Sequence, residues 1–338
     1  MNSYRFVLID KTRAYQGDGY HGLITSWLQL KKWYCSGAAR HQLVIGFINY
    51  EQDQVYFGIF DRFKPVSLQT LLNPTPFKIK LSYPNYSQYK KAINKIIHHL
   101  SIGDIYQANY CYRLSGKTRA SLEQIAYRLL HNQPTPYAAI ITTPDHQIVC
   151  NSPELGIRLN NNLLETKPMK GTASVSSPRS QLLSSAKEKA ELDMIIDVHR
   201  NDLNRVCLPG SVVVKKRREI IKYKTVYQAQ AVIQGMKDKH YNILDVLKVM
   251  LPFGSVTGAP KQRAVEILQD LETQPRDVYC GAMGYIAGRN QAEFNIAIRT
   301  ATLRDNQLHY YVGGGITLAS TPAKEYQETL TKARLLLP

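Results

Sequence analysis

Strand-like and helix-like stretches alternate along this chain, and no segment recurs at a fixed interval. Solenoids and propellers, which need such a repeat, are excluded; an α+β arrangement is expected. Tyr4 to Ile9, Leu43 to Ile48 and Gln54 to Ile59 read as strands, and Leu23 to Leu30 as a short helix. Tyr89, Ala92, Ile93, Ile96, Ile97 and Leu100 form one apolar face, which predicts a helix over Tyr86 to Leu100. Gly103 and Asp104 interrupt it, and Ile105 to Leu114 follows as a strand. Pro74, Pro76 and Pro84 mark a boundary between an amino-terminal portion (1–80) and a core (81–338).

Within that core, Leu122 to His131 and Asn242 to Met250 carry helical patterns, and Tyr137–Thr142 with Gln147–Cys150 suggests a hairpin. One long helix is expected from Leu182 to about Asn201, then a strand from Ser211 to Arg217. Pro260 to Leu271 reads as a helix with Pro260 in its first turn and Thr257 in its cap region. Val278–Ile286 and Gln291–Thr300 resemble a strand pair. After a strand over Leu308–Val312, Gly313, Gly314 and Gly315 are expected to turn the chain toward a last helix near Ala323.

The formal charge is +17, which admits nonspecific nucleic-acid binding. Its densest run, Lys215, Lys216, Arg217 and Arg218, is short and follows a strand-like stretch, with no nucleic-acid-binding motif beside it. No specific nucleic-acid partner is expected. The five cysteines are scattered and make no metal-binding spacing. With no apolar run long enough to span a bilayer and no leader-like start, a cytoplasmic enzyme without a membrane partner is expected.

Glu188 and Glu191 stand three positions apart on one helical face, as do Glu325 and Glu328, with Lys332 a further turn along. Two such acidic faces brought together make an oxygen site suited to Mg²⁺; apart, they are surface ion pairs. Gly254 to Lys261 (GSVTGAPK) precedes a helix and offers backbone N–H groups to an anion, without P-loop spacing. Arg299 offers a fork for a carboxylate and Tyr285 a hydroxyl beside it. If Glu154 and Lys170 share a pocket, the first can be a general acid and the second, uncharged, an amine nucleophile.

These segments, taken in order, resemble the chorismate-utilising enzymes, which include anthranilate, aminodeoxychorismate, isochorismate and salicylate synthases. The matching runs are GDIYQAN (103–109), SPEL (152–155), KPMKGT (167–172), EKAELDMIIDVHRNDL (188–203), GSVTGAPK (254–261), YCGAMGYI (279–286), NIAIRT (295–300), GGGI (313–316) and EYQETLTKA (325–333). The resemblance implies two facing antiparallel sheets flanked by helices, with a shortened amino-terminal portion packed on the core. It implies Mg²⁺ held by Glu191 and Glu328, supported by Glu188 and Glu325. Chorismate is then contacted by Gln107, Thr257, Tyr285, Arg299, Lys332 and the Gly313–Gly315 backbone.

Two positions point to the reaction. Gln107 stands where the water-adding members usually carry lysine, and an amide is a poor general base. Lys170 matches a lysine characteristic of aminodeoxychorismate synthases, where anthranilate synthases typically have alanine. The resemblance therefore favours conversion of chorismate and ammonia to 4-amino-4-deoxychorismate, for p-aminobenzoate and folate synthesis, with Glu154 and Lys170 catalytic. Ammonia is expected from a separate glutamine amidotransferase subunit. Anthranilate synthase component I, or a catalytically altered homologue, is the competing reading. Gln228 replaces a histidine common in relatives, and Ala173 an arginine.

Overall fold

The computed structural model describes residues 4–10 and 12–337. Among these residues there are seventeen strands. They are β1 (Arg5–Asp10), β2 (Arg13–Ile24), β3 (Leu43–Ile48), β4 (Val55–Val66), β5 (Gln107–Lys117), β6 (Tyr137–Thr142), β7 (Gln147–Ser152), β8 (Leu155–Asn160), β9 (Leu163–Lys167), β10 (Met169–Ser174), β11 (Val213–Lys222), β12 (Val226–Met236), β13 (Gly258–Ala259), β14 (Ala282–Ala287), β15 (Gln291–Ile296), β16 (Thr300–Arg304) and β17 (Gln307–Ile316). The helices are α1 (Trp27–Cys35), α2 (Leu68–Leu71), α3 (Tyr86–Ser101), α4 (Leu122–Asn132), α5 (Arg179–Ser184), α6 (Ala186–Asn204), α7 (Ile243–Met250), α8 (Lys261–Leu271) and α9 (Pro322–Ala333).

Every ladder is antiparallel, and together the ladders make one sheet rather than the two facing sheets that the resemblance implied. The pairings run without a break from β13 through β5, β17, β16, β7, β6 and β1. They continue through β2, β4, β3, β14, β15, β8, β9 and β12, which β10 and β11 flank. The link is β2, which pairs with β1 on one side and β4 on the other. Its sequence, RAYQGDGYHGLI, is polar and glycine-rich, so the joining strand carries little β signal of its own. A register shift between Tyr20 and Gly22 interrupts the β2–β4 ladder, an irregularity that bends a strand and increases its twist.

Three apolar clusters hold the sheet and helices together. One gathers α3, α4, α8 and α9 over β5 and β17, through residues such as Ile93, Ile125, Leu268 and Val312. A second sets α6 and α7 against β8, β12 and β15, around Ile196, Leu247, Ile233 and Phe294. The third joins Phe6, Phe47, Phe60, Ile148 and Met283 from five different strands. Burial of this kind, at roughly 25 cal/mol per Å² of apolar surface, supplies the main driving force.

Two expectations about the site elements are corrected. The long helix is two, α5 and α6, divided at Ser185, whose hydroxyl accepts from Glu188 N at 3.3 Å and caps α6. The three glycines do not turn the chain; they lie inside β17, opposite Cys111, Tyr110 and Asn109 of β5. No described helix is long and apolar enough to cross a membrane.

Candidate active site

α9 packs on β17, and α6 packs on β10 and β12. β17 and β10 stand near opposite ends of the strand order, and there the acidic faces of the two helices come within reach of each other's charge. A Cβ on Gly314 would lie 3.6 Å from Glu325 Oε2, 3.9 Å from Glu328 Oε1 and 4.0 Å from Lys332 Nζ. Lys332 donates to Gly313 O at 2.8 Å and pairs with Glu328 at 2.7 Å. From the other side, a Cβ on Gly171 would meet Glu188 Oε2 at 2.6 Å. Gly171 has φ +84° and sits at the β10 register shift between Lys170 and Thr172, where a side chain would be both strained and crowded.

Lys170 and Gln107 converge on the next glycine. A Cβ on Gly315 would lie 3.2 Å from Lys170 Nζ and 2.1 Å from Gln107 Nε2. Both polar atoms of the Gln107 amide are buried without a protein partner. Burial pushes the Lys170 amine below the usual lysine range, and the charges of Glu191 and Glu154 oppose that shift. Glu154 is 4% exposed, and its Oε1 accepts from Met169 N at 3.2 Å. Burial raises its carboxyl to about 7, against the pull of Ser255, Lys170 and Arg299. A carboxyl near 7 beside an amine of depressed basicity is an acid and nucleophile combination usable at neutral pH.

Glu188, Glu191 and Glu325 are all raised, first by burial, and each also feels the charge of Glu328. Glu328 is itself lowered, chiefly by Lys332. Lys187 pairs with Glu191 at 3.7 Å. No three acidic, histidine or cysteine side chains among the described residues form a ready-made metal cage. Carboxylate oxygens are hard donors of the kind Mg²⁺ takes, one or two at a time, with water and substrate completing its shell.

Arg299 lies between β15 and β16 with φ +53°, and its Nη1 is buried without a partner. The groups acting on it are Tyr310, Tyr223, Glu154 and Tyr279. Tyr285 is placed elsewhere: its ring packs edge-on against Phe63, 5.0 Å between centroids, in a separate cavity of about 370 Å³ that includes Tyr137 and Glu293. Thr257 is fully buried, and its hydroxyl donates to Phe253 O at 3.0 Å within its own turn. The Val256 and Thr257 N–H groups are also spent there, on Phe253 O and Gly254 O. Ser255, 4% exposed, sets its hydroxyl beside Glu154 and lowers that carboxyl.

Ser255, Tyr223, Tyr279 and Tyr310 were not singled out from the sequence. Ser255 and Tyr279 fall inside the GSVTGAPK and YCGAMGYI runs, so position within a motif was the available signal. Gln228 lies on β12 opposite Thr172, to whose Oγ1 its amide donates at 3.4 Å, while its Oε1 is buried and unpaired. Ala173 packs at the edge of the α6–α7 core.

The family described as chorismate binding enzyme matches residues 60–338. The chain is 36% identical over 252 residues to aminodeoxychorismate synthase component 1 of Bacillus subtilis (strain 168), covering 72% of this chain and 54% of that protein. It is 34% identical over 257 residues to anthranilate synthase component 1 of Aquifex aeolicus (strain VF5), covering 74% and 52%. The menaquinone-specific isochorismate synthase of Escherichia coli shares the fold, with a TM-score of 0.83, 17% identity and coverage of 100% of this chain and 89% of that one.

The chain belongs to the chorismate-binding enzyme family. It spans about half the length of the two curated relatives just described. Their near-equal identities do not separate the two reactions.

Proposed function

We propose that the chain aminates chorismate at C4, giving 4-amino-4-deoxychorismate. The observation that carries this reading is Lys170, an amine of lowered basicity set beside the unpaired amide of Gln107 and within the field of Glu154. Glu154 gives its proton to the C4 hydroxyl, which leaves as water while neutral Lys170 bonds to C2 and the ring double bonds shift. Ammonia then bonds to C4, the double bonds shift back, and the Lys170 nitrogen departs with its electron pair. Arg299 and Lys332 hold substrate carboxylates. Glu191 and Glu328, aided by Glu188 and Glu325, would hold Mg²⁺, whose positive charge offsets theirs and fixes a carboxylate. Ammonia comes from a separate glutamine amidotransferase subunit.

A second reading is amination at C2 with loss of pyruvate, giving anthranilate. The similarity to anthranilate synthase component 1 supports it as well as the other similarity supports C4. Gln228 is the feature that suits a catalytically altered homologue. Purified protein incubated with chorismate, Mg²⁺ and ammonium, followed by product identification, decides among them. The expected product is 4-amino-4-deoxychorismate. Anthranilate establishes the second reading, isochorismate overturns the inference from Gln107, and unconsumed chorismate points to the altered homologue.

A further inference from the structure

Arg276 has no place in the chemistry above, yet its guanidinium is among the most buried charges of the molecule, with a side chain 1% exposed. Its Nε and Nη2 clasp Glu272 at 2.8 and 2.7 Å. Its remaining contacts lead toward the site: Nη1 donates to Val256 O at 2.7 Å and Nη2 to Asn109 O at 2.6 Å. The guanidinium carbon lies 4.4 Å from the centre of the Tyr50 ring, and the Arg276 backbone N–H donates to Glu51 Oε1 at 2.8 Å.

The two carbonyls belong to segments that carry site residues. Val256 lies between Ser255 and Thr257, and Asn109 is two residues along β5 from Gln107. Asn109 N donates to Thr257 O at 2.7 Å, and Cys111 N to Glu272 Oε1 at 2.8 Å. One planar fork therefore joins the turn beside Glu154 to the strand beside Lys170.

A buried ion pair is poor evidence for net stability, because removing two charges from water costs much of what their attraction returns. It can still fix geometry, and arginine does so where lysine cannot, since several donors are held in one plane.

We infer that Arg276 is a positioning residue, setting the spacing between the strand that bears Gln107 and the turn that bears Ser255 and Thr257. The effect on turnover rests on the proposed amination of chorismate; the effect on the turn itself does not. Arg276→Lys keeps a positive charge opposite Glu272 but loses the fork. Glu272→Gln keeps the fork on both carbonyls and removes the paired charge.

The experiment compares the wild type and both variants by thermal midpoint, steady-state kinetics with chorismate and ammonium, and amide hydrogen exchange. In Arg276→Lys, exchange across 254–259 and 107–111 rises about tenfold or more while α4 is unchanged. Its kcat falls by about tenfold or more, within the roughly hundredfold that a misplacement of about an ångström can cost. The pH limb of Glu154, which faces Lys170, Arg299 and Tyr223, also moves. Glu272→Gln lowers the midpoint with a smaller loss of kcat.

Loss of kcat in proportion to lost stability in both variants makes the role purely structural and overturns the inference. So does wild-type exchange across 254–259 in Arg276→Lys. A wild type that leaves chorismate untouched defeats the proposed function alone, and the exchange comparison then decides the role of Arg276.

Discussion

Lys170 Nζ and Gln107 Nε2 close on the same point of β17: a methyl group on Gly315 would sit 3.2 Å from the first and 2.1 Å from the second. Absence of a side chain at 315 is thus a condition of the site. Gly315→Ala drives the Gln107 amide out of place, and Gln107 can yield because the clash falls at the end of its side chain. The expected result is a roughly hundredfold loss of turnover with a stability loss of at most about 1–3 kcal/mol. Steady-state kinetics and urea unfolding check it; full activity in the folded variant removes Gln107 and Lys170 from the reacting pocket.

Glu154 predicts the direction of the pH response. Burial raises its carboxyl to about 7, so the protonated form needed for acid catalysis is present below that value and lost above it. The kcat/KM for chorismate should fall as pH rises through about 7, and Glu154→Gln should cost roughly 10²–10⁴-fold and abolish that limb. The same sign applies to stability: a carboxyl raised on folding contributes fully below its ordinary value of 4.5 and loses that contribution as pH rises from there through about 7. A pH–rate profile of the wild type and Glu154→Gln reads the catalytic effect. An unchanged limb in the variant assigns it to another group.

Glu191→Ala and Glu328→Ala should each remove most Mg²⁺-dependent turnover while leaving the fold intact. Glu328 has a side chain 55% exposed, so its loss opens no core cavity. Magnesium titrations of the folded variants, with circular dichroism as the control, test this. A wild-type Mg²⁺ response in both rules out these ligand roles.

What was legible in the sequence followed local periodicity. The apolar face of α3 located that helix to within one residue, and the continuous apolar run LVIGFI located β3 at its observed bounds. β2 escaped because neither of its faces keeps a clean alternation; its place is set by pairing with β1 and β4. The Gly313–Gly315 run looked like a turn because glycine usually punctuates strands. Here it serves close approach, with Cys111 Sγ 2.4 Å from where a Gly313 Cβ would stand. Pro260 precedes α8 as its cap residue rather than occupying its first turn.

The chemical residues were readable as types at motif positions, but their grouping was not. Tyr285 and Tyr279 sit six positions apart in one motif. Only the folded chain shows Tyr279 near Arg299 and Tyr285 against Phe63. The same holds for Ser255 and Thr257, whose hydroxyls face different groups, Glu154 and the Phe253 carbonyl.

On the proposed route the Lys170 amine bonds to the chorismate ring on the way to C4 amination. Intact-protein mass spectrometry after rapid quenching, with peptide mapping and product analysis, tests it on the wild type and Lys170→Ala. A ring adduct on Lys170 is expected in the wild type and none in the variant, together with loss of 4-amino-4-deoxychorismate formation. A folded Lys170→Ala protein that makes 4-amino-4-deoxychorismate at the wild-type rate would contradict it.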